Sequence, residues 1–295
     1  MKINNESFLM KFFRKIGADS IAWSLRRLHC PVKKDDLVLE VGSGGNPYPR
    51  ANVLCDAYLE TIERHFDPLI YDRPTVLAFG ENLPFRDNVF DFVIASHVLE
   101  HSPDPDKFLS EIQRVGRAGY IETPNAFFER LCSYPMHRLE IMQENGELII
   151  YKKTASAEDK YLNNLFSNTV SALFPKWVSK HPFNFHIRYY WSKEHGGIKY
   201  RIINPNYKFD WHFKQEENSS SSISFKNKIR KITISLLRNI FSQNKRNKHL
   251  NIINYLKCIK CGSDVLERNV SAIQCLKCGQ KYKIINKNII DFINL

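Results

Sequence analysis

Four cysteines near the end of the chain, Cys258, Cys261, Cys275 and Cys278, form two Cys-x-x-Cys pairs. Two such knuckles supply four thiolates, enough to close a tetrahedron around zinc with no position left open. The metal expected here is therefore a structural Zn2+, not a catalytic one. Gly262 and Gly279 each follow the second cysteine of a pair, where the chain must turn sharply. A redox Cys-x-x-Cys is the rival chemistry, and a matched pair of knuckles with short strands between them argues against it. Cys30, Cys55 and Cys132 have no such partners and read as inert thiols.

A second constellation opens at Leu37–Arg50, LVLEVGSGGNPYPR, an apolar strand running into a glycine turn. A dinucleotide fingerprint needs a third glycine and an acid about 20 residues further on. Here Pro47 holds the third position and Asp56 follows much sooner. Glu40, two residues before Gly42, would repel a pyrophosphate. S-adenosylmethionine (SAM) carries a sulfonium, an ammonium and no phosphate, so a carboxylate at that mouth is favourable. Gly42 and Gly44 let the backbone approach such a ligand. Asp56 ends the second strand, where its carboxylate can accept both ribose hydroxyls. Ser96 and His97 end a later strand and face the same region, Ser96 as a candidate cofactor contact.

Methyl transfer from a sulfonium is an in-line displacement that demands alignment above all. A general base is needed only where the acceptor must lose a proton. His97, His101 one helical turn beyond it, and Glu122 at the end of the next strand are the candidate catalytic groups. The alternatives are that His97 lines the cofactor pocket, His101 packs or caps a helix, and Glu122 pairs with a basic neighbour.

These residues need a framework. Apolar positions Phe8, Leu9, Phe12, Phe13, Ile16, Ile21, Leu25 and Leu28 have helical spacing. Leu37–Val41, Asn52–Cys55, Phe90–Ala95 and Tyr120–Glu122 read as strands, with a helix over Pro105–Val115. Strands alternating with helices predict a doubly wound, Rossmann-like α/β sheet. After Pro124 the pattern changes. Asn145-Gly146 predicts a hairpin, Lys160–Phe174 a helix, and Gly196-Gly197 the turn of a second hairpin. Both hairpins are expected to cover the far edge of the sheet and the acceptor site.

At ENLPFRDNVFDFVIASHVLEH, 81–101, the chain resembles a known family. Residues 31–125 are similar to class I SAM-dependent methyltransferases with an LPF-x-D-x-x-FD-x-V segment followed by VLEH. The most similar subset has a G-S-G-x-N-P-Y-P loop and a G-Y-I-E-T-P strand, here Gly119–Pro124. The resemblance implies that Glu40, Gly42, Ser43 and Gly44 line the methionine end, that Asp56 holds the ribose, and that Glu81 and Asn82 flank the adenine. The chain departs from the family at Phe79, where an aspartate often stands, and in the short Pro-punctuated segment after Gly45. Tyr255 to Leu295, with LKCIKCGSDVL, IQCLKCGQKYKI and IIDFI, resembles the Trm112-like zinc ribbons. It differs from them at Ile259 and at Asn288-Ile289-Ile290. Such ribbons occur free-standing as methyltransferase activators, and fused to an rRNA guanine methyltransferase. The pairing here therefore implies a methyltransferase carrying its own accessory module.

The charge divides the chain. Of a net +12, all lies in residues 223–295, with fifteen Lys and Arg against three Asp and Glu. The expected organisation is a methyltransferase domain over 1–215, a Ser-rich linker with a basic amphipathic helix over 216–250, and a zinc ribbon over 251–295. The balanced front three quarters favour a small-molecule or glycan acceptor. The basic tail favours RNA as the alternative acceptor. A non-catalytic SAM-binding adaptor and peripheral contact with an anionic membrane are further readings. No run approaches the ~18 apolar residues of a membrane span, and no signal peptide is evident, so a cytoplasmic location is expected.

Overall fold

The computed structural model describes residues 5–61, 64, 67–132, 134–154, 161, 164–166, 173–210, 236, 240, 250–286 and 289–294. Most of the linker and basic helix expected over 216–250 lies outside these residues, as does most of the helix expected over 160–174.

The chain opens with α1 (Phe8–Lys15), whose Ser7 hydroxyl caps the first turn by accepting from the Met10 amide. Gly17, at positive φ, breaks the expected single helix, and α2 (Asp19–Leu25) follows. The core sheet starts with β1 (Val38–Val41), β2 (Val53–Asp56), β3 (Thr75–Leu77) and β4 (Phe90–Ser96). α3 (Pro105–Val115) has Asp104 as its N-cap and buries Phe108, Leu109, Ile112 and Val115 against the sheet. It returns the chain to β5 (Gly116–Pro124). β3 escaped the sequence reading because TVL is a three-residue strand without alternation. All residues of β1, β2 and β3 are buried, as a parallel sheet requires.

Beyond β5 come α4 (Ala126–Leu131), β6 (Leu139–Glu144), β7 (Glu147–Lys152), α5 (Phe174–Lys180), β8 (His186–Ser192) and β9 (Tyr200–Ile202). The Asn145-Gly146 hairpin forms as expected, joining β6 to β7 with both turn residues at positive φ. The expected Gly196-Gly197 hairpin does not form. Both glycines have positive φ and turn the chain, but β8 pairs antiparallel with β5 while β9 crosses to pair parallel with β7. Seven registered pairs along β5, from Ala118↔Ser192 to Pro124↔His186, outcompete a local turn.

The cysteine-rich end forms β10 (Leu266–Arg268), β11 (Ala272–Cys275), β12 (Lys281–Ile285) and β13 (Ile289–Asp291). These strands do not stand apart. The ten-stranded sheet runs β10-β11-β12-β13-β3-β2-β1-β4-β5-β8, with β13 parallel to β3. Cys258, Tyr282, Ile290 and Phe292 share one apolar core with Leu83, Phe85 and Phe90. Backbone bonds lock the seam: Arg86 N–H donates to Tyr255 O (2.9 Å), Lys257 N–H to Pro84 O (2.9 Å) and Phe292 N–H to Leu77 O (2.9 Å). The LPF segment of the methyltransferase-like region is thus the floor on which the cysteine module rests. No helix among the described residues is long and apolar enough to cross a membrane.

Candidate functional site

In open α/β sheets ligands bind beyond the carboxyl ends of the strands. A cleft lies there, at the ends of β1, β2 and β4, lined by Gly42, Gly44, Asp56, Tyr58, Arg64, Phe79, Glu81, His97, His101, Ser102 and Arg138 among others. Gly42 has φ +71°, and a Cβ there would lie 2.6 Å from Val98 Cβ, so no larger residue fits the turn. The N–H groups of Gly42 and Ser43 both donate to Cys55 O, folding the loop over the end of β2. Gly44 N–H donates to Asp56 Oδ2 (2.8 Å), which fixes that carboxylate at the cleft floor.

Among the described residues, the predicted set divides. Gly42, Gly44, Asp56, Glu81, His97 and His101 line the cleft; Glu40, Ser43, Asn82, Ser96 and Glu122 do not. Glu40 is buried behind the loop, where its Oε2 accepts the Tyr48 N–H at 2.7 Å. Burial lifts its pKa to about 8, against the pull of Arg27 and that hydrogen bond. Glu40 therefore shapes the loop from beneath. Ser96 hydroxyl donates to Glu122 Oε1 (3.1 Å), and Asn82 is exposed.

Glu122 is the hub of a buried network. Arg26 grips it with two bonds, Nε to Oε2 at 2.6 Å and Nη2 to Oε1 at 2.8 Å, while Tyr120 also donates to it. His97 Nε2 lies 3.2 Å from Glu122 Oε1, and His97 Nδ1 3.3 Å from Glu100 Oε1. Burial favours the neutral imidazole, but the two carboxylates outweigh it and raise the His97 pKa to about 10. His97 is then an imidazolium at neutral pH, held at φ +55° by its N–H bond to Glu122 O. Its ring is thereby clamped between Glu100 and Glu122 at the edge of the cleft. Glu122 pairs with basic neighbours, the second of the two roles the sequence allowed.

Arg64 has no counterpart in the sequence reading. Arg64 reaches back across eight residues to Asp56, Nη1 donating to Oδ1 at 2.9 Å. No spacing rule links the two positions. Arg138 directly follows His137 and also lines the cleft. Phe79 stands where the resemblance expected a carboxylate; it is 43% exposed in the cleft and meets Tyr58 edge-on at 6.0 Å. An exposed ring there offers a face for a purine. The floor carboxylate of Asp56, the Glu81 carboxylate and this aromatic ring share the cleft with the guanidinium groups of Arg64 and Arg138.

The cysteine site also fits its expected ion. Cys258 Sγ–Cys278 Sγ and Cys261 Sγ–Cys275 Sγ are each 3.6 Å apart. That is far beyond a disulfide bond and close to the ~3.8 Å edge of a tetrahedron with zinc–sulfur bonds of about 2.3 Å. All four sulfurs lie within 4.8 Å of one another. Zinc there would be held by four thiolates and serve structure alone.

Residues 54–121 match the family described as a methyltransferase domain. This segment runs from β2 through β5 and includes Asp56, Glu81, His97 and His101. Two curated relatives extend the comparison. The chain is 31% identical over 124 residues to an uncharacterized methyltransferase of Mycobacterium leprae, covering 37% of this chain and 45% of that protein. It is 43% identical over 44 residues to an uncharacterized protein of Methanocaldococcus jannaschii, covering 15% of this chain and 22% of that one. The chain thus spans less than half the length of the curated relatives it matches. Among solved structures, it is similar to a complex of the Haloferax volcanii Trm112 methyltransferase activator with a methyltransferase. The identity is 15%, the TM-score 0.31, and the match covers 46% of this chain and 74% of that one. A SAM-dependent methyltransferase from Aquifex aeolicus matches at 17% identity and a TM-score of 0.27, over 41% of this chain and 75% of that one. The family match therefore extends over residues 54–121, which are similar to a methyltransferase domain and include the floor of the cleft.

Proposed function

We propose that the protein transfers a methyl group from SAM to an acceptor that enters the cleft past His97, His101 and Arg138. The observation that carries this reading is the position of Asp56. It ends β2 at the cleft floor, anchored by the Gly44 amide, inside the segment that matches the methyltransferase family. Asp56 would hold the ribose, Glu81 and Phe79 would flank the base, and the Gly42–Gly44 turn would admit the methionine end. The bound SAM supplies an electrophilic methyl on sulfur. The protein's residues align the acceptor, and His97 and Arg138 add positive charge at the rim.

The acceptor on this reading is a small molecule or glycan, which the balanced charge of residues 1–222 supports. RNA is the second reading, favoured by Lys260, Lys277, Lys281 and Lys283, all exposed on the cysteine module. Zinc at the four cysteines would hold that module against β3. Radiolabelled SAM, incubated with the full chain and an extract of source cells lacking the gene, tests the choice. Label retained after ribonuclease supports the small-molecule or glycan reading. Label lost with ribonuclease overturns it in favour of RNA, and no transfer to any fraction overturns the enzymatic reading.

A further inference from the structure

A second cluster of titratable side chains lies beside the cleft. Leu99–His101 forms one 3-10 turn after β4, placing Glu100 and His101 side by side. His137 arrives from the segment before β6, and the Arg138 N–H donates to Glu100 O at 2.7 Å, which fastens the two stretches together. One ligand atom each from Glu100, His101 and His137 lies within 4.8 Å of the others. The two imidazole rings meet edge-on with centroids 4.7 Å apart.

Two features show that this is more than a buried polar contact. Glu100 is 1% exposed, and neither of its carboxylate oxygens accepts an aligned hydrogen bond. His97 Nδ1, at 3.3 Å, offers one ion-pair contact on one side only. Oε2 is therefore left with no partner among the described residues, a lone pair that a bound cation could take. The second feature is the shell behind His137. Its Nδ1 is hydrogen-bonded to Glu129, which is 1% exposed and whose other oxygen lies 3.5 Å from Lys153 Nζ. A carboxylate on one ring nitrogen fixes the tautomer and leaves Nε2 as the basic nitrogen, the arrangement that orients metal-bound histidines.

We propose that Glu100, His101 and His137 bind one divalent transition-metal cation, with Glu129 as the residue that positions His137. Two imidazoles and one carboxylate favour Mn2+, Fe2+, Co2+ or Zn2+ over Mg2+ or Ca2+, which prefer all-oxygen sets. Three protein ligands leave coordination positions open, unlike the closed four-thiolate site. His101 lines the cleft wall shared with Asp56 and Glu81, so an open position would face the cleft. Its ligand class is an oxygen donor, water or a hydroxyl of an incoming molecule. The proposal stands apart from the methyl-transfer reading, because it concerns binding by these residues alone.

The test uses the full chain with its cysteine site loaded with zinc. Mn2+ binding is followed by electron paramagnetic resonance, and Co2+ binding by visible absorption. The expected result is one equivalent of added metal per chain, with Co2+ bands that lack the intense thiolate charge-transfer absorption. Glu100→Gln and His101→Gln should weaken binding at least about tenfold, and Glu129→Gln by about 10- to 100-fold. Glu129→Gln touches no metal and keeps its shape, so it serves where loss of a ligand unfolds the protein. Zinc content and circular dichroism should be unchanged in Glu129→Gln. The proposal is overturned if neither ion binds at millimolar concentration, or if Glu129→Gln and Glu100→Gln bind as the wild type does.

Discussion

Ile290 sits opposite Val76 in a parallel strand pair, which makes the cysteine module the continuation of the central sheet. A parallel edge strand with unpaired backbone groups invites pairing by another chain. In this protein its own C-terminal strand takes that edge, and Phe292 and Tyr282 stack behind it at 4.2 Å. Stability of the module and of the cleft are therefore linked.

The first prediction follows from that linkage. Chelating a metal held by the four cysteines, or Cys258→Ser, should lower the melting temperature of the whole chain in a single transition. Ile290→Ala should cost about 2–5 kcal/mol, as for other buried large-to-small changes. Calorimetry with two independent transitions, the larger one unmoved by chelator, would show that the module merely leans on the sheet.

A second prediction concerns Arg64. Its guanidinium occupies the Asp56 oxygen that a ribose would need. Arg64→Ala should leave SAM affinity equal or raised, because the carboxylate no longer has to exchange partners. A tenfold loss in titration calorimetry would instead make Arg64 a direct contact of the ligand.

Glu122 and Arg26 form a buried, doubly bonded ion pair with side chains 0% and 10% exposed. Glu122→Gln leaves the Arg26 and His97 cations short of a counterion, and the expected loss is about 3–5 kcal/mol in urea denaturation. Replacing both partners with apolar residues should cost less than the single change. Equal costs would mean that the pair itself, and not the stranded charge, carries the stability.

Glu40 makes stability depend on pH. Its folded pKa of about 8 lies above its ordinary value of 4.5, raised by burial. The folded state therefore holds a proton that the unfolded chain releases. Its contribution is fully present below pH 4.5 and is lost as pH rises through about 8. Glu40→Gln should remove that downward slope, gaining on the wild type at pH 9 and not at pH 4. Parallel stability curves for the two proteins would contradict the assignment.

Much of this was legible in the residues themselves. The apolar runs at Val38–Val41 and Phe90–Ser96, the helix capped by Asp104 and the Asn145-Gly146 turn all carry strong local signals. So did the four cysteines, whose spacing alone brings the sulfurs together. What local signals miss is long-range pairing. Nothing in the Gly196-Gly197 segment announces that β8 will join β5, 74 residues away at Ala118↔Ser192 and 62 at Pro124↔His186. Nor does the sequence show that Glu40 turns beneath its loop, that Arg64 folds back on Asp56, or that Glu129 backs His137. Each is a side-chain meeting set by tertiary packing.

The central claim is that the cleft holds SAM through Asp56. Titration calorimetry of SAM into the full chain and into Asp56→Ala tests it most directly. The account predicts one saturable site in the wild type and at least a tenfold weaker one in the variant, about 1.4 kcal/mol or more. No binding to the wild type, or equal binding to both proteins, would contradict it.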